Sequence, residues 1–104
     1  MTEYKMMYIS KDGEKQLVCP HCGGTFLHQN ETEIFDRDED ESKGLHVTTW
    51  RNDRIIIRKN LDGNPSKRRD GLRIHFFCEH CNKLSVMDIW QHKGSTYIKF
   101  YEKR

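Results

Sequence analysis

Hydrophobic residues are scarce in this chain. They make up 35% of its 104 residues, and the mean hydropathy is −0.93, whereas ordinary globular domains carry roughly 45–50% apolar residues on a count that includes glycine and leaves out tyrosine. No run approaches the ~18 consecutive apolar residues of a membrane span. The first ten residues lack a basic stretch followed by a long apolar one, which predicts that they are not a signal peptide. The chain is therefore expected to be one small domain, 1–104, in the reducing cytoplasm.

Helix signals are also poor, and segments rich in β-branched and aromatic residues replace them. Asp12-Gly13 and His92–Ser95 separate neighbouring segments in the manner of hairpin turns. The pattern predicts an all-β, antiparallel fold of about seven short strands. The candidate segments are Tyr4–Ile9, Lys15–Cys19, Thr25–Asp36, Leu45–Trp50, Arg54–Lys59, Leu72–Cys78, Leu84–Trp90 and Thr96–Tyr101.

The four cysteines form two CxxC pairs, Cys19/Cys22 and Cys78/Cys81. Zinc prefers four tetrahedral ligands, and a CxxC turn allows two thiolates to converge on one ion. Gly23 and Asn82 follow the two pairs, and these residue types tolerate the positive φ that such a turn often needs. The sequence therefore predicts one structural Zn2+ bound by all four cysteines, with iron as an alternative metal. A thiol oxidoreductase is disfavoured because no helix start follows the first pair, and disulfides are disfavoured because nothing indicates export.

The pattern Cys19-Pro20-His21-Cys22-Gly23, with Cys78–Cys81 as its partner, resembles the rubredoxin-type knuckles of the zinc ribbon family. The resemblance implies a structural zinc site that joins two β-hairpins. The 55 residues between the pairs exceed the ~15–20 of the commoner spacing. The fold is thus expected to be a small antiparallel zinc ribbon with an inserted β-hairpin or meander.

The six histidines are not expected to bind the metal. His21 and His80 lie inside the knuckles and are predicted to be exposed tips, since four sulfurs already complete a tetrahedron. The other four show no ligand spacing and are predicted to be surface or edge residues. They are His28, His46, His75 and His92.

The formal net charge is only +2, and four thiolates with one Zn2+ would bring it to about zero, so no overall field attracts nucleic acid. The charges are nevertheless segregated. Glu31–Ser42 has a net charge of −6, and Arg51–Arg73 has a net charge of +5. The basic segment is a candidate phosphate-binding surface, with Trp50, Phe77 and Trp90 as candidate stacking residues. Its candidate nucleic-acid-binding residues are Arg51, Arg54, Arg58, Lys67, Arg68, Arg69 and Arg73.

Two functions follow from these features, and neither is enzymatic. The first is a zinc-binding module that contacts nucleic acid, or a complex that handles it, through the basic segment. The second is a protein-interaction module, such as a small regulator or inhibitor, that uses the acidic segment and the sheet edges. A metal-dependent nuclease is disfavoured, because the contiguous acids at Asp36–Glu41 seldom converge on one ion. Acids folded over the basic segment would also cancel its charge.

Overall fold

The computed structural model describes residues 7–11, 14–51 and 53–103. Within these ranges the chain forms eight strands and no helix, so this part of the protein contains no helix able to cross a membrane. The strands are β1 (Met7–Lys11), β2 (Glu14–Leu17), β3 (Leu27–Asp36), β4 (Leu45–Trp50), β5 (Ile55–Arg58), β6 (Gly71–Cys78), β7 (Leu84–His92) and β8 (Ser95–Glu102). The prediction of an all-β fold is confirmed.

Strands β1 and β2 pair with each other as a two-stranded hairpin in which Lys11 lies opposite Glu14. Residues 12 and 13, predicted to form its turn, lie outside the described residues, as do residues 4–6 of the first predicted segment. The other six strands form one antiparallel sheet in the order β5-β4-β3-β6-β7-β8. The long spacer between the cysteine pairs therefore contributes the β4–β5 hairpin, which extends the sheet beyond β3.

A β-bulge at Asn30 sets the alternation of β3. Gln29 lies opposite Phe76, but Glu31 lies opposite His75, so Asn30 is an extra residue on β3. Side chains alternate between the two faces of a strand, and an extra residue reverses which face the following ones occupy. Because of the bulge, Glu31 and Glu33 share a face with His75 rather than with Ile74.

The register divides the six-stranded sheet into two unlike faces. One face carries most of the buried ionisable side chains, and we call it the polar face. It includes Glu31, Glu33, His46, Arg73, His75 and Asp88. The other, which we call the apolar face, is crossed by one aliphatic residue from each strand. From β5 to β8 these are Ile57, Val47, Ile34, Leu72, Ile89 and Ile98.

Burial is greater on the polar face than on the apolar one. Phe35, His46 and Thr48 are almost fully buried at the centre of the polar face, where the ring of His46 stacks on Phe35 at 4.2 Å. Residues 59–70, which we call the covering loop, cross this face, and an added Cβ at Gly63 would lie 3.8 Å from the Phe35 ring. The apolar face is buried mainly near the cysteines, at Phe76 and Met87.

Candidate metal centre and charged surfaces

The four cysteine sulfurs lie together although 55 residues separate the two pairs. Cys19 Sγ is 3.8 Å from Cys81 Sγ, and Cys22 Sγ is 3.7 Å from Cys78 Sγ. Four sulfurs at ~2.3 Å from a central ion, at the corners of a tetrahedron, are about 3.8 Å apart. A disulfide would need ~2.05 Å between sulfurs. The cluster therefore fits a tetrahedral metal ion and not a pair of disulfides.

Each knuckle has the backbone geometry that its sequence predicts. Gly23 has φ +78° and Asn82 has φ +59°. Their amides donate to the carbonyls of Cys19 and Cys78, at 2.8 and 2.9 Å respectively. The amides of His21 and Gly24 point at Cys19 Sγ and Cys22 Sγ, each at 3.4 Å. These donors stabilise thiolate charge, which favours metal binding.

The thiols differ in acidity because their surroundings differ. Burial raises the pKa of Cys19 to about 12. Burial acts in the same direction on Cys78, but the backbone amides of Cys81 and His80 donate to its sulfur and the pKa falls to about 7. Metal binding must therefore displace a proton from Cys19, whereas Cys78 loses its proton more readily.

The prediction for the knuckle histidines is right for His80 and wrong for His21. His80 is exposed and stacks on Phe26 at 5.0 Å. His21 Nε2 lies 2.7 Å from the carbonyl oxygen of Leu84, and its Nδ1 lies 2.8 Å from a Glu102 oxygen. His21 thus ties the first knuckle to the β7 and β8 ends instead of lying in solvent.

The residues of the basic segment lie in three different surroundings: beside acidic side chains of the loop after β3, on the polar face of the sheet, and in solvent. Arg68 pairs with Asp40 at 2.7 Å and Arg69 with Glu39 at 3.2 Å. Residues 37–44 between β3 and β4, which we call the acidic loop, therefore lie against these bases. The Asp40 pKa is lowered by the hydrogen bond and charge of Arg68. Arg58 donates to Thr48 Oγ1 on the polar face at 3.1 Å.

Arg73 lies within the sheet and forms an ion pair with the buried Asp88. Its Nε and Nη2 donate to the two oxygens of Asp88 at 2.7 and 3.1 Å, and the Tyr101 hydroxyl donates to Oδ2 at 2.8 Å. The raised pKa of Arg73 has the same cause, since the Asp88 hydrogen bond outweighs burial. This arrangement satisfies a buried carboxylate.

Four of the predicted basic residues are exposed, namely Arg51, Arg54, Lys67 and the Glu39-paired Arg69. The guanidinium of Arg54 lies 5.0 Å from the centre of the Trp50 ring. With Arg51 and Asn30 these two residues line an open depression of about 420 Å3. The other aromatic candidates lie elsewhere, Trp90 being stacked on Tyr97 at 5.6 Å.

The prediction that His46 and His75 are surface or edge residues is wrong. Both are buried, and both approach Glu33, whose oxygens lie 3.0 Å from His46 Nε2 and 2.8 Å from His75 Nε2. Burial acts to raise the pKa of Glu33, but the hydrogen bonds from these histidines outweigh it and the pKa is lowered. The sequence contains Glu31-x-Glu33 and His75, but their contact depends on the strand register. The two glutamates share a face with His75 only because of the bulge at Asn30.

Comparisons of the chain with protein-family models, with characterised proteins and with solved structures each find no match. The metal-binding cysteine cluster and the antiparallel sheet are therefore the features that bear on function.

Proposed function

We propose that this protein is a non-enzymatic interaction module, stabilised by a structural Zn2+ at the four cysteines, whose apolar face binds a second copy of the same chain. The observation that carries the proposal is the uninterrupted row of aliphatic side chains across all six strands. The basic segment supports a nucleic-acid-binding function less well, because Arg68, Arg69 and Arg73 already contact acidic side chains.

The metal has a structural role in this proposal because the donor set is closed. Four thiolates complete a tetrahedron and leave no position for water or substrate. Zinc suits the site better than a redox metal for a module without electron-transfer chemistry, and four free cysteines suit a reducing cytoplasm. Elemental analysis of the purified protein distinguishes zinc from iron, and the absence of both would contradict the proposed centre.

The apolar face leaves large aliphatic side chains in contact with solvent. Ile57 is 67% exposed, Ile55 62%, Ile98 49%, Leu45 44% and Ile34 43%. These side chains belong to one patch, because Ile57, Val47 and Ile34 are direct cross-strand partners and Ile34 continues through Leu72 towards Ile98. A contiguous apolar patch of this kind marks an interaction surface on a small protein.

The size of the face fits one sheet of a two-sheet sandwich. Six strands spaced at ~4.8 Å are roughly 29 Å wide, and three residues along one face span roughly 17 Å, which makes about 500 Å2 in plan. Protruding side chains make the accessible area larger than the plan area. Each copy thus approaches the ~800 Å2 per partner of a standard interface.

The chemistry of the face makes it complementary to itself. Across the central strands β3 and β6, the residues of this face beyond the bulge are Thr32, Ile34, Leu72 and Ile74, with Asp36 only at the strand end. Two copies would meet there without like charges facing each other. Aliphatic side chains from two such sheets interdigitate when the sheets pack about 10 Å apart.

Oligomeric state tests the proposal, and β8 offers a matched pair of positions. Ile98 and Tyr97 are adjacent and 49% and 46% exposed, but they lie on opposite faces. We expect the wild type and Tyr97→Glu to be dimers by sedimentation equilibrium, and Ile98→Glu and Ile57→Glu to be monomers with unchanged zinc content. A wild type that remains monomeric at its highest soluble concentration, or an Ile98→Glu variant that remains dimeric, would overturn the second-copy assignment.

A second candidate function rests on the depression lined by Trp50, Arg51, Arg54 and Asn30. An arginine stacked on a tryptophan beside a second arginine combines an aromatic platform with positive charge, as single-stranded nucleic-acid binders do. The depression is formed partly by the turn after β4, so it remains open in a dimer formed through the apolar face.

A further inference from the structure

Three side chains on the polar face bring metal-ligating atoms together away from the cysteines. Glu31 and Glu33 lie two residues apart on β3, so their side chains are on the same face of the sheet. His75 on β6 lies directly opposite Glu31. His75 Nε2 is 2.8 Å from Glu33 Oε2 and 3.7 Å from Glu31 Oε2. One ligand atom from each residue lies within 4.8 Å of the other two.

Donors outside the trio hold each carboxylate by its other oxygen. Trp50 Nε1 donates to Glu31 Oε1 at 3.1 Å, and His46 Nε2 lies 3.0 Å from Glu33 Oε1. The Oε2 atom of each residue is thereby turned toward His75. In metal sites, hydrogen bonds from an outer shell orient the ligands in this way.

The trio is partly enclosed but reachable from solvent. The His75 side chain is 9% exposed and that of Glu31 25%. Two carboxylates this close repel each other in a medium of reduced polarity, and the hydrogen bonds from His75, His46 and Trp50 offset only part of that repulsion. A divalent cation would neutralise both carboxylates.

We propose that Glu31, Glu33 and His75 bind a divalent transition-metal ion of the class that accepts mixed carboxylate and imidazole ligands, at a second site chemically distinct from the cysteine cluster. Water completes the coordination of this ion. Ligation requires the lone pair of His75 Nε2, so the imidazole proton resides on Nδ1, and exposed Lys103, whose Nζ lies 3.3 Å from Nδ1, turns away. The proposal does not depend on dimer formation or on the role of the apolar face.

Cobalt(II) is a suitable probe because its absorption reports the ligand type. The full chain, with zinc at its cysteines, is titrated with Co2+ alone. We expect one additional equivalent to bind, with ligand-field absorption but without the sulfur-to-cobalt charge-transfer band that cobalt at the cysteines would give. Failure of the zinc-loaded wild type to bind cobalt, or a charge-transfer band as the only signal, would overturn the second site.

Variants assign the ligands and separate metal binding from a role in folding. Glu31→Gln removes the most exposed ligand of the trio and is expected to abolish the absorption while zinc content and thermal unfolding stay near wild type. Trp50→Phe removes the donor to Glu31 Oε1 and leaves all three ligands in place, so it should weaken cobalt binding about 10–100-fold. Asp38→Asn, on the exposed acidic loop, is the charge-matched control and should bind as the wild type does. Equal binding by Glu31→Gln and Asp38→Asn would show that surface acids hold the cobalt and would refute the assignment.

Discussion

At the residue scale, Asp88 depends on two specific partners for its burial. It is 5% exposed in the middle of β7, and its oxygens accept from Arg73 and Tyr101. A buried carboxylate without such donors would lose its hydration with nothing in return. Burial of the phenol raises the pKa of Tyr101 to about 12, and the hydrogen bond to Asp88 acts in the same direction as the second cause.

We predict that Tyr101→Phe destabilises the protein by about 1–2 kcal/mol, because one donor to a buried charge is removed. Tyr97→Phe on the same strand, where the tyrosine is exposed, should cost little. Urea unfolding of the two variants at neutral pH measures the difference, and equal free energies of unfolding would contradict this account of Asp88.

The raised pKa of Tyr101 also predicts a pH dependence. The folded chain holds the phenol proton more tightly than the unfolded chain, whose tyrosines ionise near pH 10. The resulting stability is complete below pH 10 and is lost as the pH rises through about 12. Absorbance titration of the phenolate should show a late-ionising component in the wild type that Tyr101→Phe lacks.

At the element scale, the buried Ser66 helps to hold the covering loop to the sheet, beside the Gln91 amide, which donates to the Asp70 carbonyl. Ser66 Oγ donates to the carbonyl of Gln91 at 2.8 Å and accepts from the Arg69 amide at 2.9 Å. The loop crosses β6 at Gly71, where an added Cβ would lie within 3 Å of both Asn64 and Pro65. Close packing of the loop therefore needs both the hydroxyl at 66 and the missing side chain at 71.

Ser66→Ala should destabilise the protein by about 1–3 kcal/mol, because buried groups on both sides of the hydroxyl lose their partner. Amide hydrogen exchange should quicken at Arg69 in this variant, while exchange in β7 changes less. Ser95→Ala, at an exposed position in the β7–β8 turn region, serves as the comparison. Unchanged exchange at Arg69 would mean that other contacts hold the loop.

The basic segment behaves as separate parts at this scale, which bears on any binding of nucleic acid. Arg68 and Arg69 are offset by Glu39 and Asp40, whereas Arg51 and Arg54 lie beside Trp50. Replacing a basic residue that binds a phosphate lowers the salt dependence of the affinity, because each neutralised phosphate on duplex DNA contributes a log–log slope of about −0.9.

We therefore predict that Arg51→Ala/Arg54→Ala weakens any binding to random oligonucleotides and flattens its salt dependence. Lys67→Ala/Arg68→Ala/Arg69→Ala should have the smaller effect, although it removes more charge. Fluorescence anisotropy across a salt series tests both variants. A greater decrease in affinity for the triple variant would place the nucleic-acid-binding surface on the covering loop.

At the scale of the whole molecule, the cysteine cluster joins distant parts of the chain. The first knuckle precedes β3, and the second lies between β6 and β7. Structural zinc in small domains contributes roughly 10–16 kcal/mol of apparent binding free energy. We expect a fold whose apolar residues are few and partly exposed to depend on the metal proposed for this cluster.

Cys78→Ser, or removal of zinc by a chelator, should unfold the six-stranded sheet or make it sensitive to protease. His80→Ala, at an exposed position in the same knuckle, should leave the fold intact. Acidification should act like the chelator, because protons compete with zinc for the thiolates, and because the stabilisation associated with the lowered pKa of Glu33 is lost as the pH falls through that pKa. A native circular dichroism spectrum for metal-free protein would contradict this dependence.

Much of the secondary structure follows from local sequence. The predicted segment Leu45–Trp50 is β4 itself, and Leu72–Cys78 differs from β6 by one residue. Residue type also predicted the positive φ of Gly23 and Asn82. These features depend on β-branched residues, alternation and turn chemistry, which operate between close neighbours in the chain.

The sequence alone therefore determined the strands, the two knuckles and the choice of the four cysteines as one candidate metal site, since each depends on residues close together in the chain or on a known ligand preference. Only the tertiary structure decided the rest. The bulge at Asn30 turned Glu31 and Glu33 toward His75, and the acidic loop came to lie against Arg68 and Arg69. The tertiary structure also decided that the aliphatic row stays exposed to solvent, while the covering loop packs over Phe35 on the other face. These outcomes depend on strand order, register and loop path, because contacts between residues far apart in the chain arise only when the sheet assembles.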